Sequence, residues 1–423
     1  MDEKFTSLKK YNFWNGNVPE LGFARKSYTG KIFDYIGNRL VKVLIGQRRA
    51  GKSIILRQIA HKLIEQGTSP ENIFYINKEF TDFDFLQDYK DLGVLFKAYK
   101  EKMSPQGKVY LFIDEIQNIS GWEHFVNSHS QDFVENCEIF ISGSNSKMLS
   151  GELATLLSGR YVTFEILPFS YREYTEVLAK DISKQSYLEY MESGALPELF
   201  VLPNSETRRN YVSAIKDTVL LRDIIQRHNI KDARLLEDIF VYLVNNAANL
   251  ISITNIVNYF SNNKRKTHYE TVANYIGYIE DAFLIHKVQR YDIRGKETIA
   301  GNCKYYSNDM AFKNYLYPGF AYGIGYKLEN LVYLELRRAG YEIYIGAMRD
   351  KEVDFIARKG ERVVYLQSTY ILVDEKTIER EYSPLELIQD NYEKIVVSLD
   401  DVQLPNRDGI KHIQAWRLSE YLL

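Results

Sequence analysis

The sequence predicts an α/β protein that opens with a parallel sheet covered by helices. Three observations predict it. Short apolar runs without polar alternation recur between residues 40 and 167, and helical or loop segments separate them. The first run stops at a glycine and an amphipathic helix follows at once, in "LVKVLIGQRRAGKSIILRQIAHKLIEQG". After Pro168 the texture turns helical, and from about residue 320 it is mixed again. Strands alternating with helices form parallel sheets covered on both faces.

Taken in order, residues 1–35 mix polar residues with single aromatics. The first strand is "LVKVLIG", and the helix after it carries Ile54, Ile55, Ile59, Leu63 and Ile64 up to Gly67. Further buried strands are "NIFYIN" (72–77), "KVYLFIDE" (108–115), "CEIFISGS" (137–144) and "YVTFEIL" (161–167). Helices are expected in "SYREYTEVLAK", "SYLEYMESG" and "SETRRNYVSAIKDTVLLRDIIQRH". Three more follow in "DARLLEDIFVYLVNNAA", "SITNIVNYFS" and "THYETVANYIGYIEDAFLI", and "HKVQRYDIRGKETIAGNCKYYSND" follows them like the β wing of a helix-turn-helix. The last part offers a helix, "YKLENLVYLELRRAG", then strands "YEIYIGA", "EVDFIAR", "RVVYLQST" and "EKIVVSLD", and a short helix "LSEYLL". Boundaries are expected near 180 and 300. Residues 1–180 form the first domain, 181–300 a helical lid and winged helix, and 301–423 an α/β domain.

Bulk properties narrow the function. The chain has 423 residues, enough for about three domains. Its net charge of −2 gives no global pull toward nucleic acid or membrane. The start lacks a signal peptide's apolar region and no apolar run approaches about 18 residues, so no membrane association is expected. Two distant cysteines, Cys137 and Cys303, allow no zinc or disulfide framework, which points to a reducing, cytoplasmic compartment. The 33 tyrosines are read as packing and half-buried surface.

"GQRRAGKS" fits the pattern G-x-x-x-x-G-K-[ST] from Gly46 to Ser53. Successive backbone N–H groups must turn inward to nest an anion, and the flanking glycines permit that path. The residues expected around the phosphates are Gly46, Gln47, Arg48, Arg49, Ala50, Gly51, Lys52, Ser53 and Ile54. Lys52 reaches the β- and γ-phosphates of ATP, and Ser53 offers its hydroxyl to Mg²⁺. Arg48 and Arg49 are left open between a phosphate, a neighbouring chain and solvent. In "VYLFIDEIQ", Asp114 and Glu115 end an apolar strand, where the cradle of a parallel sheet lies. Asp114 is expected to hold the Mg²⁺ shell, and Glu115 to orient and deprotonate the attacking water. Ser144 or Asn145, at the end of the next strand, is expected to sense the γ-phosphate. Arg160 is a candidate for stabilising the transition state, with a plain surface arginine as the alternative. At the turn before the third middle helix, Lys264, Arg265, Lys266 and His268 would meet DNA phosphates, unless the run is a solvated face or the module contacts protein.

These stretches resemble a known family. "GQRRAGKS", "FIDEIQ", "ISGSNSKMLS", "LSGRYVTFEILPFSYREY" and "SGALPE" are similar to the bacterial and archaeal AAA+-like P-loop ATPases related to STAND NTPases. There they are the Walker A, Walker B and sensor-1 segments, then the glycine-arginine segment with its strand. "DTVLLRDIIQRHNI", "YYSNDMAF", "LENLVYLELRRAGY", "EVDFIA" and "YLQSTY" extend the resemblance. The last three resemble the domain of unknown function 4143, of the PD-(D/E)XK nuclease-like group with its restriction-endonuclease-like fold. Active members of that group bind Mg²⁺ and activate water with a helix Glu, a strand Asp and Glu-x-Lys. Here Glu329 and Asp354 take the first two places, but Gln367 and Thr369 replace the third acid and the lysine. The resemblance therefore implies a degenerate nuclease-like site that does not cut DNA.

Two functions are carried forward. One is a Mg²⁺-dependent ATPase that acts as a nucleotide-driven switch on DNA. The other is a STAND-like regulatory NTPase that binds a protein partner or assembles with itself.

Overall fold

The computed structural model describes residues 2–132, 134, 136–149, 156–318, 323–348 and 351–422. The chain divides into two compact units, 1–166 and 167–423. The first division therefore falls after Ile166 rather than near 180. Ser150, the last residue of the "ISGSNSKMLS" stretch, lies outside the described residues.

The first unit runs α1 (Asp2–Tyr11), α2 (Lys26–Phe33), β1 (Val41–Ile45), α3 (Lys52–Glu65), β2 (Ile73–Asn77), α4 (Tyr89–Met103), β3 (Val109–Asp114), α5 (Trp122–Gln131), β4 (Cys137–Gly143) and β5 (Tyr161–Glu165). Its strands pair in the order β2-β3-β4-β1-β5, all parallel. β1 and β2 are buried along their whole length, which explains why they read as unbroken apolar runs. Lys42 interrupts β1, yet its ammonium is buried against the Glu138 carboxylate at 2.5 Å, and Lys108 adds a second cation at 3.0 Å. α3 lays Ile55, Leu56, Ile59 and Leu63 on Leu44, Phe112 and Phe140. Burying each such side chain contributes about 1.5–3 kcal/mol. This packing fixes the start of α3 against the end of β1.

The second unit begins with α6 (Tyr171–Val177), α7 (Lys184–Ser193) and α8 (Ser205–Thr218), which continues as a π-helical turn over Val219–Gln226. Then come α9 (Ala233–Asn245), β6 (Leu250–Ile251), α10 (Ile253–Asn262), α11 (Tyr269–Asp281), β7 (Ile285–Asp292) and β8 (Glu297–Ser307). The chain ends with α12 (Ile324–Arg338), β9 (Glu342–Met348), β10 (Lys351–Lys359), β11 (Arg362–Thr369), α13 (Glu375–Glu386), β12 (Glu393–Ser398), β13 (Ile410–Gln414) and α14 (Leu418–Leu422).

One sheet of eight strands spans this unit in the order β13-β12-β11-β10-β9-β7-β8-β6. β7 pairs in parallel with β9 through Arg290–Asp292 and Ile345–Ala347, so the hairpin β7–β8 continues the C-terminal sheet. The boundary expected near 300 falls inside β8. α12 covers the sheet with Leu328, Leu331, Val332 and Leu336 on Phe355, Val364, Leu366 and Ile395. Asp309 joins two stretches of the resemblance, "SGALPE" and "YYSNDMAF". Its buried carboxylate accepts from the amides of Ala195 (3.0 Å) and Ala311 (2.7 Å), and burial pushes the carboxyl up to about 6. Among the described residues, no helix is long and apolar enough to cross a membrane.

Candidate functional site

The glycine loop joins β1 to α3. Its path needs left-handed backbone at Arg49 (φ 68°) and Gly51 (φ 100°), and Gly46 takes φ 145°. A Cβ on Gly46 would lie 2.2 Å from the carbonyl oxygen of Ile166, so side chains are excluded there by contact as well as by conformation. The Lys52 ammonium donates to the carbonyls of Gly46 (3.0 Å) and Gln47 (3.1 Å) and lies 3.8 Å from Glu115 Oε1. Gln47 and Ala50 are buried, and Gly22 lies against the Ile54 side chain. Arg49 is exposed, whereas Arg48 pairs with Glu79 at 2.5 Å.

Asp114 and Glu115 end β3 beside this loop, and both are buried. Asp114 Oδ2 accepts from Asn77 Nδ2 (2.9 Å) and the Tyr75 hydroxyl (3.2 Å), and Oδ1 from Ser142. The Ser53 hydroxyl also hydrogen-bonds Asp114. An alcohol and a carboxylate meeting beside a lysine are hard oxygen donors that fit Mg²⁺. Burial, then the charge of Glu115, pushes the Asp114 carboxyl up. Burial acts upward on Glu115 too. Lys52, then Arg48 and hydrogen bonds from Gln117 and Ser144, outweigh it and hold Glu115 below the usual carboxylate range. Adjacent acids thus stand in opposed protonation environments, the pattern that separates a base from a second role. Ser144 and Asn145 are buried just after β4, and the Ser144 side chain hydrogen-bonds Glu115.

Arg160 is not brought to the loop. Its backbone carbonyl accepts from Val41 N at the start of β1. That is one strand length, about 16 Å, from the loop at the other end. Its guanidinium donates to Leu157 O (2.9 Å), Leu156 O (3.1 Å) and Asn127 Oδ1 (3.1 Å).

In the second unit, two of the four nuclease-like positions, Glu329 and Asp354, face a fifth residue, Lys304. Lys304, from β8, donates to Glu329 Oε1 at 2.8 Å and pairs with Glu352 at 2.7 Å. The Tyr306 hydroxyl also donates to Glu329 (2.7 Å). The β9–β10 register shifts between Val353 and Ile356, and Asp354 sits in that irregularity. Its carboxylate accepts from Ser368 N and Oγ, both at 2.8 Å. Gln367 accepts from Asp354 N (3.3 Å) and donates to Glu381 (3.2 Å), and Thr369 is buried on β11. Burial, then Asp354, pushes the Glu329 carboxyl up to about 8. Among the described residues, no group of three His, Cys, Asp or Glu side chains is placed to hold a metal ion. The donors do not fit the Mg²⁺ of an active nuclease, because protein hydrogen bonds and an ammonium use them. Asn330 ties the fold, exchanging hydrogen bonds with the Ser307 backbone at 2.8 and 2.9 Å.

At the basic turn, Lys264, Lys266 and His268 are exposed. The Arg265 guanidinium is engaged, by Asp232 at 2.8 Å and by Asp238.

Sequence reasoning missed Tyr75, Asn77, Arg25, Ser142 and Lys304. Arg25 is buried in the segment before β1 and donates to Ala50 O in the loop (2.8 Å). For Asn77 a signal existed, since a polar residue closing an apolar strand mirrors Asp114.

Comparison with known proteins bears on this geometry. Residues 38–175 match the family described as AAA domain, and residues 184–322 match Domain of unknown function (DUF8612). The second is a different family from the domain of unknown function 4143 that the resemblance implied. An uncharacterized protein of Haemophilus influenzae is 36% identical over 405 residues, covering 94% of this chain and 98% of that one. An uncharacterized protein of Methanocaldococcus jannaschii is 32% identical over 394 residues, covering 88% and 84%. Among solved structures, the Aeropyrum pernix ORC1 protein in complex with DNA overlaps 75% of this chain and 96% of its own, at 13% identity and a TM-score of 0.33. That overlap is too loose to bear on function.

Proposed function

The chain belongs to the family of these Haemophilus influenzae and Methanocaldococcus jannaschii proteins, and we propose that it is a Mg²⁺-dependent ATPase working as a nucleotide-driven switch. Residues 38–175 are an AAA-type P-loop domain with a parallel sheet. The observation that carries the reading is the convergence of Lys52, Ser53, Asp114 and Glu115 at the ends of β1 and β3.

Lys52, with the amides of the loop and the start of α3, grips the β- and γ-phosphates of ATP. Ser53 and Asp114 would hold Mg²⁺, which when bound neutralises phosphate charge. Glu115, kept ionised by Lys52, orients the attacking water and takes its proton. Ser144 and Asn145 lie one strand over, where the γ-phosphate is felt.

For the second unit we read α9, α10, α11 and the hairpin β7–β8 as a winged helix. The order of three helices and a hairpin supports it. We read α12 with β9–β13 as a nuclease-like fold without cutting activity, supported by the helix, three antiparallel strands, helix and strand order. DNA is one partner for this unit, with Lys264 and Lys266 toward phosphates. A protein partner, as in STAND-like switches, is the second reading. The pairing of Arg265 with Asp232 and Asp238 favours it, because that arginine is already neutralised.

The test is ATP binding and hydrolysis by the full chain. Lys52→Ala should abolish binding, and Glu115→Gln should keep binding and stall turnover. Normal ATP binding by Lys52→Ala would overturn the assignment. DNA binding that falls steeply with salt selects the first partner class; nucleotide-dependent protein capture or self-assembly without DNA binding selects the second.

A further inference from the structure

Gln117 lies in the turn Ile116–Asn118, directly after the two acids. Its Nε2 donates to Glu115 Oε2 at 2.5 Å and to Ser144 Oγ at 3.4 Å. Ser144 in turn hydrogen-bonds Glu115. A carboxylate, an amide and a hydroxyl thus close a triangle across the ends of β3 and β4. The other oxygen of Glu115, Oε1, faces Lys52. The carboxylate is therefore gripped from both sides, by the residue assigned to the phosphates and by Gln117.

Two further features of Gln117 bear on this grip. The Oε1 of Gln117 is buried and has no hydrogen-bond partner among the described residues. An orphaned carbonyl is costly, and a flipped amide would bring two oxygens together at Glu115. The amide orientation follows the donor that Glu115 needs. Gly143 supplies the room: a Cβ there would lie 2.5 Å from Gln117 Oε1 and 1.8 Å from Met148 Sδ. The φ of Gly143 is not in the left-handed region, so the glycine serves space rather than conformation.

We propose that Gln117 is a positioning residue for hydrolysis: it aims the Glu115 carboxylate at the attacking water and couples it to Ser144 on β4. This rests on Glu115 being the base. When Lys52 turns to the phosphates, Gln117 and Ser144 keep the carboxylate in place. Gln117 acts through Glu115, the group its amide holds.

The experiment is steady-state ATP hydrolysis by the full chain with Mg²⁺, with ATP affinity measured separately. Gln117→Met and Gln117→Leu both remove the donor without setting a second charge against Glu115. Each should lower kcat by about 10–100-fold, the loss of one hydrogen bond to a charged group, and leave ATP affinity near the wild-type value. In the Glu115→Gln background, Gln117→Met should slow residual turnover no further, and Gln117→Met with Ser144→Ala should lose less than the product of the single losses. A merely structural role would add its loss in every background. If Gln117→Met does not bind ATP, Gln117→Leu decides. Wild-type kcat in a binding-competent variant, or an undiminished loss in the Glu115→Gln background, would overturn the inference. A Glu115→Gln chain that turns over at the wild-type rate would overturn the proposed function itself, and this inference with it.

Discussion

The hydroxyl of Ser142 accepts a hydrogen bond from the backbone amide of Glu115 at 3.2 Å. The same hydroxyl gives its proton to Asp114, so one side chain on β4 fixes both acids at the end of β3. Ser142→Ala removes both hydrogen bonds and should therefore reduce kcat for ATP by about 10-fold or more, with nucleotide affinity little changed. Steady-state hydrolysis and nucleotide titration check this, and equal kcat in variant and wild type would show that the strand pairing alone holds the acids.

Gly46 has no room for a methyl group, with the Ile166 carbonyl 2.2 Å from the position of a Cβ. Gly46→Ala must push β5 or the loop aside. The expected cost is about 2 kcal/mol or more, with loss of ATP binding. Thermal denaturation and nucleotide titration read the two effects; a variant with native melting and binding would mean that the loop moves freely.

Lys304 is the sole ammonium that the described residues place among Glu329, Glu352 and Asp354. Burial alone would lower its pKa, but these carboxylates outweigh burial and raise it. Lys304→Met should destabilise the second unit by about 3–5 kcal/mol, because it leaves buried acids without their counter-ion. The loss should shrink as pH falls through about 8, where Glu329 takes a proton, and further as Asp354 takes one. Urea unfolding at two pH values measures it, and an unchanged midpoint would refute the role.

His412 makes stability depend on pH. Its Nδ1 accepts from Leu404 N (2.9 Å), which leaves Nε2 to donate to Ser398 Oγ (2.7 Å). Burial lowers its pKa from the ordinary 6.5, with only partial opposition from Asp400. The folded chain thus keeps a neutral ring where the unfolded chain gains a proton. The stabilisation is present above pH 6.5 and falls as pH drops below it, by at most about 1.4 kcal/mol per pH unit. His412→Gln should flatten that slope in urea midpoints measured from pH 7.5 to 5.5. A slope unchanged in the variant would place the titration elsewhere.

The loop and its two acids were legible because each is a local pattern. Gly46 to Ser53 is one continuous stretch, and Asp114 and Glu115 close one apolar run. Their partners were not legible. Asn77 reaches Asp114 because β2 and β3 run in register, Asn77 opposite Asp114, a fact of pairing rather than of spacing. The position of Arg160 was hidden for the same reason: it precedes its strand, so a parallel sheet sets it at the far end of β1 from Gly46. Lys304 lies outside the nuclease-like pattern and enters from the hairpin. Helix α13 escaped notice because its segment is highly charged and carries Pro384 inside, while Tyr382 and Leu385 supply its buried face.

The parallel pairing of β7 with β9 has a consequence for truncation. Ending the chain near residue 300 would split β8 and strip β9 from its neighbour. The outer edge of β7 would then present unpaired N–H and C=O groups, a template for strand addition by another chain. A shortened protein of this kind is expected to aggregate, and its insolubility would say nothing about whether the missing part has a function of its own.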